Sequence, residues 1–371
     1  MFERVRVLRR ALVAGTVLAS GLVLAGCAHQ DKEHQQDALK PEGHAAREIL
    51  DLTKPFFWIA VVIGIGVVGA TIYIAIRFRE KPGEERNPKQ VHGNTTLEIS
   101  WTIVPALILA VMGVFTVSTI FNLSKKPTGP NVIHINVTGK QWWWEYDYTD
   151  KATGFTTANE MHIPINTPVY LTLTGADVIH SFWIPSLAGK KDTVPGRISN
   201  LTISGDKIGE YRGQCAEYCG LSHARMGLKV FVDSRADYEK WVAQQKTTPA
   251  RLTEFVNDST GPIATFGCQT CHGFDATKKA TRGPNLTHLG DRTTFAAATY
   301  DLTLENLTNW IHDAPSMKPM EQGPDPKNPL KGMPNFSNPA WGMTKAQARE
   351  IARTLVCDTS TDPARRLDFA C

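Results

Sequence analysis

The sequence predicts a multidomain protein: a two-helix transmembrane hairpin, an all-β barrel or sandwich, and a small α-helical domain at the C-terminal end. Three observations carry this. Two long uncharged apolar runs lie within the first 125 residues, a stretch of alternating apolar and polar residues follows, and beyond residue 246 the pattern turns helical and loop-rich. A chain of 371 residues exceeds one ordinary compact domain. Its mean hydropathy of −0.21 excludes a polytopic membrane protein built mostly of spans, while local apolar runs remain possible. With 42% hydrophobic and 20% charged residues it is not mainly disordered either. The net charge of +4, without a basic cluster interleaved with aromatics, argues against nucleic acid as a partner.

Residues 1–26 read as an export signal: Arg4, Arg6, Arg9 and Arg10 precede the apolar run Ala11 to Gly26. The run ends in Leu24-Ala25-Gly26-Cys27, which resembles a bacterial lipobox with Cys27 as the acylated first residue of the mature chain; an ordinary cysteine after a plain signal or a first transmembrane helix is the other reading. Residues 27–125 hold the N-terminal segment and the hairpin. Pro55 to Ile76 carries no charge, and about 22 residues at ~1.5 Å each give roughly 33 Å, enough to cross a bilayer. Ile99 to Ser124 is the second such run. Between them lie Arg77, Arg79, Lys81, Arg86 and Lys89, which mark a cytoplasmic loop. Both flanks, and everything after about residue 125, are then expected on the periplasmic or outer side of a bacterial inner membrane.

Residues 126–245 are expected to form the β domain. Ile133, Ile135 and Val137 alternate with His134 and Asn136; Val169, Leu171 and Leu173 alternate with Tyr170 and Thr172; Leu228, Val230 and Val232 are spaced by Lys229 and Phe231. Turn residues such as Thr138-Gly139, Gly175 and Pro195-Gly196 punctuate the run, so an antiparallel sandwich or barrel is expected. Lys246-Thr247-Thr248-Pro249 reads as a linker to a last domain, 246–371. There Thr344 and Gln347 fit a capping box, and Ala348, Ile351, Ala352 and Leu355 form one apolar stripe of a helix.

Cys215-Ala216-Glu217-Tyr218-Cys219, followed by His223 and Met226, packs potential ligands into a short segment, with His180 upstream. Thiolates, imidazoles and a thioether are soft-to-borderline donors and favour copper over the hard cations. A Cys215–Cys219 disulfide and a structural zinc site are the competing readings of the pair.

His180 with Cys-Ala-Glu-x-Cys-Gly-x-x-His-x-x-Met resembles the CuA signature of cytochrome c oxidase subunit II, a dinuclear copper centre on a cupredoxin barrel. The resemblance extends to Leu97 through Pro105 at the second apolar run, to Gly139-Lys140-Gln141-Trp142-Trp143-Trp144, and to Asp192 with Pro195-Gly196-Arg197. It implies that Cys215 and Cys219 bridge both coppers and that His180 and His223 each hold one. Met226 and the backbone carbonyl of Glu217 would be weak axial ligands. The Glu217 carboxylate would face a magnesium at the subunit I boundary. Trp142 matches the tryptophan through which electrons reach the copper; simple packing is the alternative for each of the three tryptophans. Glu98 matches a carboxylate near a proton path in subunit I, and its position at a helix start fits a solvated N-terminal carboxylate equally.

Cys268-Gln269-Thr270-Cys271-His272 is the C-x-x-C-H signature of covalently attached haem c, with His272 as proximal ligand. A redox dithiol is the other reading of the two cysteines. Gly332-Met333-Pro334-Asn335 resembles the Met-Pro context of small cytochromes c, which selects Met333 as distal ligand; Met320 ranks second and Met343 reads as packing. Cys357 and Cys371 read as a disulfide tying down the C-terminal tail, with two unrelated thiols as the other reading.

The whole resembles the caa3-type oxidase, whose subunit II carries a fused cytochrome c domain. That resemblance implies an electron-input subunit without an oxygen site of its own. Electrons would come from an external donor such as cytochrome c, through haem and CuA, to subunit I, accompanied by subunit III, where oxygen is reduced to water with proton translocation. A quinol oxidase subunit II would lack Cys215 and Cys219. A copper chaperone would not be expected to carry Met226, the tryptophan run and a haem. The nearest rival is a CuA-containing nitric oxide reductase, against which Glu98 and Glu217 lean toward oxygen.

Overall fold

The computed structural model describes residues 36–79, 83, 90, 92–149, 154–277, 282–321, 332–360, 366 and 369. The expected export signal, Cys27, Lys81, Arg86, Lys89 and Cys371 lie outside the described residues.

Helix α1 spans His44–Arg77 and α2 spans Thr95–Leu123; both are long and apolar enough to cross a membrane. Phe57, Trp58, Ile63 and Ile72 of α1, and Ile99, Trp101, Leu107 and Phe121 of α2, are exposed. Such continuous uncovered apolar surface suits lipid rather than water. Helix α1 starts well before the predicted Pro55, which lies inside it. The segment ahead of Pro55 is too polar to register as an apolar run, and tertiary contacts hold it helical. Ala45 and Ala46 are buried, the Ala46 amide donates to the Leu187 carbonyl, and Arg47 pairs with Asp206. At the start of α2, Asn94 accepts from the Leu97 amide at 3.2 Å and the Glu98 carboxylate accepts from the Asn94 amide at 3.3 Å. Glu98 therefore serves at least as a helix cap.

The β domain contains β1 (Ile133–Lys140), β2 (Trp143–Tyr148), β3 (Phe155–Ala158), β4 (Glu160–Pro164), β5 (Val169–Gly175), β6 (His180–Trp183), β7 (Lys191–Thr193), β8 (Ser199–Ile203), β9 (Gly209–Cys215) and β10 (Gly227–Asp233). They form two five-stranded sheets, β3-β2-β1-β5-β8 and β4-β10-β9-β6-β7. Ile135, Val137, Val169, Leu171, Leu173, Leu228, Val230 and Val232 are all buried in one core, as their alternation predicts. Each such side chain contributes about 1.5–3 kcal/mol of burial. The expectation of a wholly antiparallel domain is corrected in two places: β1 pairs with β5, and β4 with β10, in parallel. Several strands intervene in each case, which supplies the long return path that parallel pairing needs and a hairpin lacks.

Helix α3 (Arg235–Gln245), capped by the Ser234 hydroxyl, closes this part. A second core then gathers α4 (Ala250–Asn257), α5 (Pro262–Thr265), the short strands β11 (Thr294–Phe295) and β12 (Tyr300–Asp301), α6 (Leu304–His312), α7 (Ala314–Met317) and α8 (Lys345–Cys357). Leu252, Phe266, Leu289, Leu307, Ile351 and Leu355 meet at its centre. Helix α8 has the predicted capping box and buries Ala348, Ile351, Ala352 and Leu355. The predicted linker is fastened to this second region: His288 Nε2 bonds the Thr247 carbonyl at 2.7 Å, and the Ala276 amide donates to the Thr248 hydroxyl at 3.1 Å. The two cores also meet directly. The buried Glu160 carboxylate of β4 accepts from the amides and hydroxyls of Thr293 and Thr294. Cys357 is disulfide-bonded, and its expected partner Cys371 lies outside the described residues.

Candidate metal centre

The ends of neighbouring strands bring the donors together. His180 opens β6, Cys215 ends β9, His223 lies in a short 3-10 turn, and Met226 immediately precedes β10. The β6–β9 ladder sets Phe182 opposite Cys215, and the Cys215 amide donates to the Met226 carbonyl at 2.9 Å. The sulfurs of Cys215 and Cys219 lie 3.8 Å apart. Around them stand His180 Nδ1, 4.0 Å from Cys215 Sγ, and His223 Nδ1, 3.7 Å from Cys219 Sγ. Met226 Sδ is 3.8 Å from Cys219 Sγ, and the Glu217 carbonyl oxygen is 3.2 Å from Cys215 Sγ. His180, Cys215 and Cys219 are buried, with their donor atoms all within 4.8 Å of one another. The cysteines are free thiols, so the disulfide reading of the pair is excluded. The spacing exceeds the ~2.05 Å of a disulfide but suits sulfurs that share metal ions. This soft donor set fits copper.

Outer contacts orient the donors. Asp177 Oδ1 lies 2.8 Å from His180 Nε2, which turns the other ring nitrogen toward Cys215. Burial raises the Asp177 carboxyl, but bonds from His180, the Gln141 amide and the Val178 amide outweigh it and hold its pKa below the ordinary value. Burial likewise lowers His180, yet its bonds to Asp177 and Cys215 prevail and raise its pKa. Hydrogen bonding with Cys219, aided by His180, holds the Cys215 thiol far below the usual range despite its burial; the Cys219 thiol is pushed up in return. Gly139 completes the pocket, because a Cβ there would stand 2.8 Å from the His180 ring. Sequence reasoning did not single out Asp177; its only signal was a carboxylate three residues before the histidine.

The three tryptophans divide as the sequence left open. Trp142 Nε1 donates to the Cys219 carbonyl at 3.0 Å, so this indole touches a ligand residue. Trp143 packs with Ala158 and Ala297, and Trp144 lies edge-on to His180 and Phe182 in the core. Glu217, Tyr218 and Leu221 of the copper loop are exposed.

In the second region Cys268 starts a 3-10 turn, and the His272 amide donates to the Cys268 carbonyl at 3.0 Å. Cys268 and Cys271 are free thiols. His272 Nδ1 lies 2.9 Å from the Pro284 carbonyl, which leaves Nε2 as the nitrogen that could coordinate a metal. Burial lowers the His272 pKa and keeps the imidazole neutral. Gly283 is a close approach: a Cβ there would stand 2.5 Å from the His272 ring. Met333 packs on the second core, whereas Met320 packs against the first; the Met333 amide lies 3.1 Å from Met320 Sδ. Met343 is buried packing, as expected.

Residues 152–232 match the family described as cytochrome C oxidase subunit II, periplasmic domain, and residues 32–119 match its transmembrane domain. Cytochrome c oxidase subunit 2 of Alkalihalophilus pseudofirmus is 36% identical over 302 residues, covering 80% of this chain and 86% of that protein. This chain belongs to the cytochrome c oxidase subunit II family. The subunit 2 of Bacillus subtilis is 32% identical over 319 residues, covering 80% of this chain and 87% of its own. The solved periplasmic domain of subunit II of cytochrome oxidase from Bradyrhizobium japonicum is 34% identical, covering 32% of this chain and 94% of that one, with a TM-score of 0.29. As a subunit II, the protein is the electron-input subunit of a haem–copper oxidase, and the oxygen-reducing site lies in another subunit. It is a membrane protein with a subunit I partner, and its periplasmic-domain family implies a CuA site.

Proposed function

We propose that this subunit II carries two redox groups and delivers electrons from an external donor such as cytochrome c to subunit I, for oxygen reduction coupled to proton translocation. His180, Cys215, Cys219, His223, Met226 and the Glu217 carbonyl would hold the dinuclear CuA. Cys268 and Cys271 would attach haem c, with His272 and Met333 as its axial ligands. The single observation that carries the copper reading is the sulfur pair 3.8 Å apart, enclosed by imidazole, thioether and carbonyl donors.

When bound, the copper pair held by Cys215 and Cys219 would supply a one-electron relay, and haem would supply a second one-electron carrier. The protein's own part is orientation and exclusion of water. Asp177 fixes the His180 ring and the Pro284 carbonyl fixes the His272 ring. Free thiols at Cys268 and Cys271 support thioether attachment over a disulfide. The packing of Met333 on the second core favours it over Met320. The exposed Glu217 carboxylate supports one protein ligand for a magnesium shared with subunit I, and exposed Tyr218 and Leu221 support subunit contact on the same loop. The same reading puts the hairpin in a bacterial inner membrane with both later regions on the periplasmic side, and has Cys27 acylated, Cys357 paired with Cys371, and subunit III in the assembly.

Metal analysis and EPR of the purified full chain test this. The expected result is two coppers per haem, with hyperfine structure from one electron shared equally by two copper nuclei. A single-copper signal, or zinc without a signal, overturns the dinuclear assignment; absence of iron overturns the haem.

A further inference from the structure

We propose that Lys318 is a positioning residue: its amino group fastens the C-terminal region against Trp142 and so sets the route by which electrons reach the copper ligands. This rests on the reading of Trp142 as the residue through which they arrive. Lys318 follows α7 and is only 3% exposed. Its Nζ donates to the Trp142 carbonyl at 2.8 Å and to the Ala296 carbonyl at 3.0 Å. One acceptor belongs to the β domain and the other to the second region. The opposite side of Trp142 bonds the Cys219 carbonyl through its indole at 3.0 Å. A continuous hydrogen-bonded run therefore leads from Ala296 through Lys318 and Trp142 to a thiolate ligand residue.

The surrounding contacts show that this run lies in a built seam. Ser222 Oγ donates to the Pro319 carbonyl and Arg225 Nη1 to the Met317 carbonyl, so both neighbours of Lys318 are held by residues that flank His223. The Gly227 amide, next to Met226, donates to the Ala297 carbonyl at 3.0 Å. Ala296, Ala297 and Ala298 all adopt left-handed φ, at 53°, 62° and 53°. Alanine avoids that region, so three in succession persist only where surrounding contacts demand it. Here the turn aims the Ala296 carbonyl at Lys318 and the Ala297 carbonyl at Gly227. A buried amino group, charged or neutral, is unfavourable without acceptors, which makes Lys318 a poor choice for mere filling and a good one for joining two carbonyls.

The test is Lys318→Met in the assembled oxidase, a change that keeps an unbranched side chain and removes the amino group. Two readouts are expected to move together. Amide exchange at Gly227 speeds up about tenfold or more, while Ile135 and Val137 in β1 keep their protection. Internal electron transfer from haem to copper slows by about tenfold or more, with the copper EPR spectrum unchanged. Lys318→Arg, which restores donors to both carbonyls, recovers much of both. An unchanged internal rate with unchanged Gly227 exchange overturns the proposal, as does an unchanged rate with faster exchange. If Lys318→Met does not assemble copper, Ser222→Ala decides on the same readouts, a several-fold slower transfer supporting the proposal and no change overturning it. If the protein proves to lack haem, the function reading fails separately, and Gly227 exchange alone decides whether Lys318 fastens the seam: faster exchange supports it and unchanged exchange overturns it.

Discussion

The donor cluster at one end of the β domain and the Cys268–His272 turn are assembled by opposite means. The copper donors come from His180 to Met226, and the β6–β9 ladder, a turn and the start of β10 must all form before they meet. The Cys268–His272 motif sits on one short turn, and its residues are neighbours before any sheet exists. In the first site tertiary structure makes the cluster; in the second it supplies only the orienting carbonyl of Pro284, the room at Gly283 and the distant methionine. Damage to the β domain should therefore abolish copper binding outright, whereas damage to the second core should leave haem attached but poorly ligated.

Replacing Cys215 or Cys219 by serine tests the first half of that contrast. The two-copper EPR pattern should vanish, and oxygen consumption by the assembled enzyme should fall by more than the roughly 10–100-fold typical of outer-shell losses. For the second half, Met333→Ala should leave the haem covalently bound by mass spectrometry yet lower its reduction potential, because Met/His ligation raises it. Met320→Ala should leave that potential in place, and a shift there instead would reassign the distal ligand.

Asp177→Asn should weaken copper affinity by about 10–100-fold in a chelator competition while the fold survives, since only the orientation of His180 is disturbed. Gly283→Ala drives a methyl group into the His272 ring and should destabilise the second core by about 1–3 kcal/mol in denaturant unfolding, with copper spectra unaffected. Thr344→Ala removes half of a capping box and should cost about 1 kcal/mol in the same experiment.

Much of this was legible in the residues. The uncharged runs, the alternation at Ile135, Leu171 and Val230, the capping box at Thr344 and the contiguous metal motifs are properties of near neighbours, and side-chain period alone reveals them. The start of α1 was not legible, because His44 to Lys54 is polar and is helical through contacts with Leu187 and Asp206. Nor were the parallel pairings of β1 with β5 and β4 with β10, which depend on how strands far apart in the chain return. Composition and spacing determined by themselves that this chain has two helices apolar enough to cross a membrane, a β domain and a run of soft donor side chains. Only packing decided that Asp177 orients His180, that Trp142 rather than Trp144 touches a ligand carbonyl, and that Lys318 spans the seam. Each of these joins residues through space, and no local period encodes which distant carbonyl a buried side chain will meet.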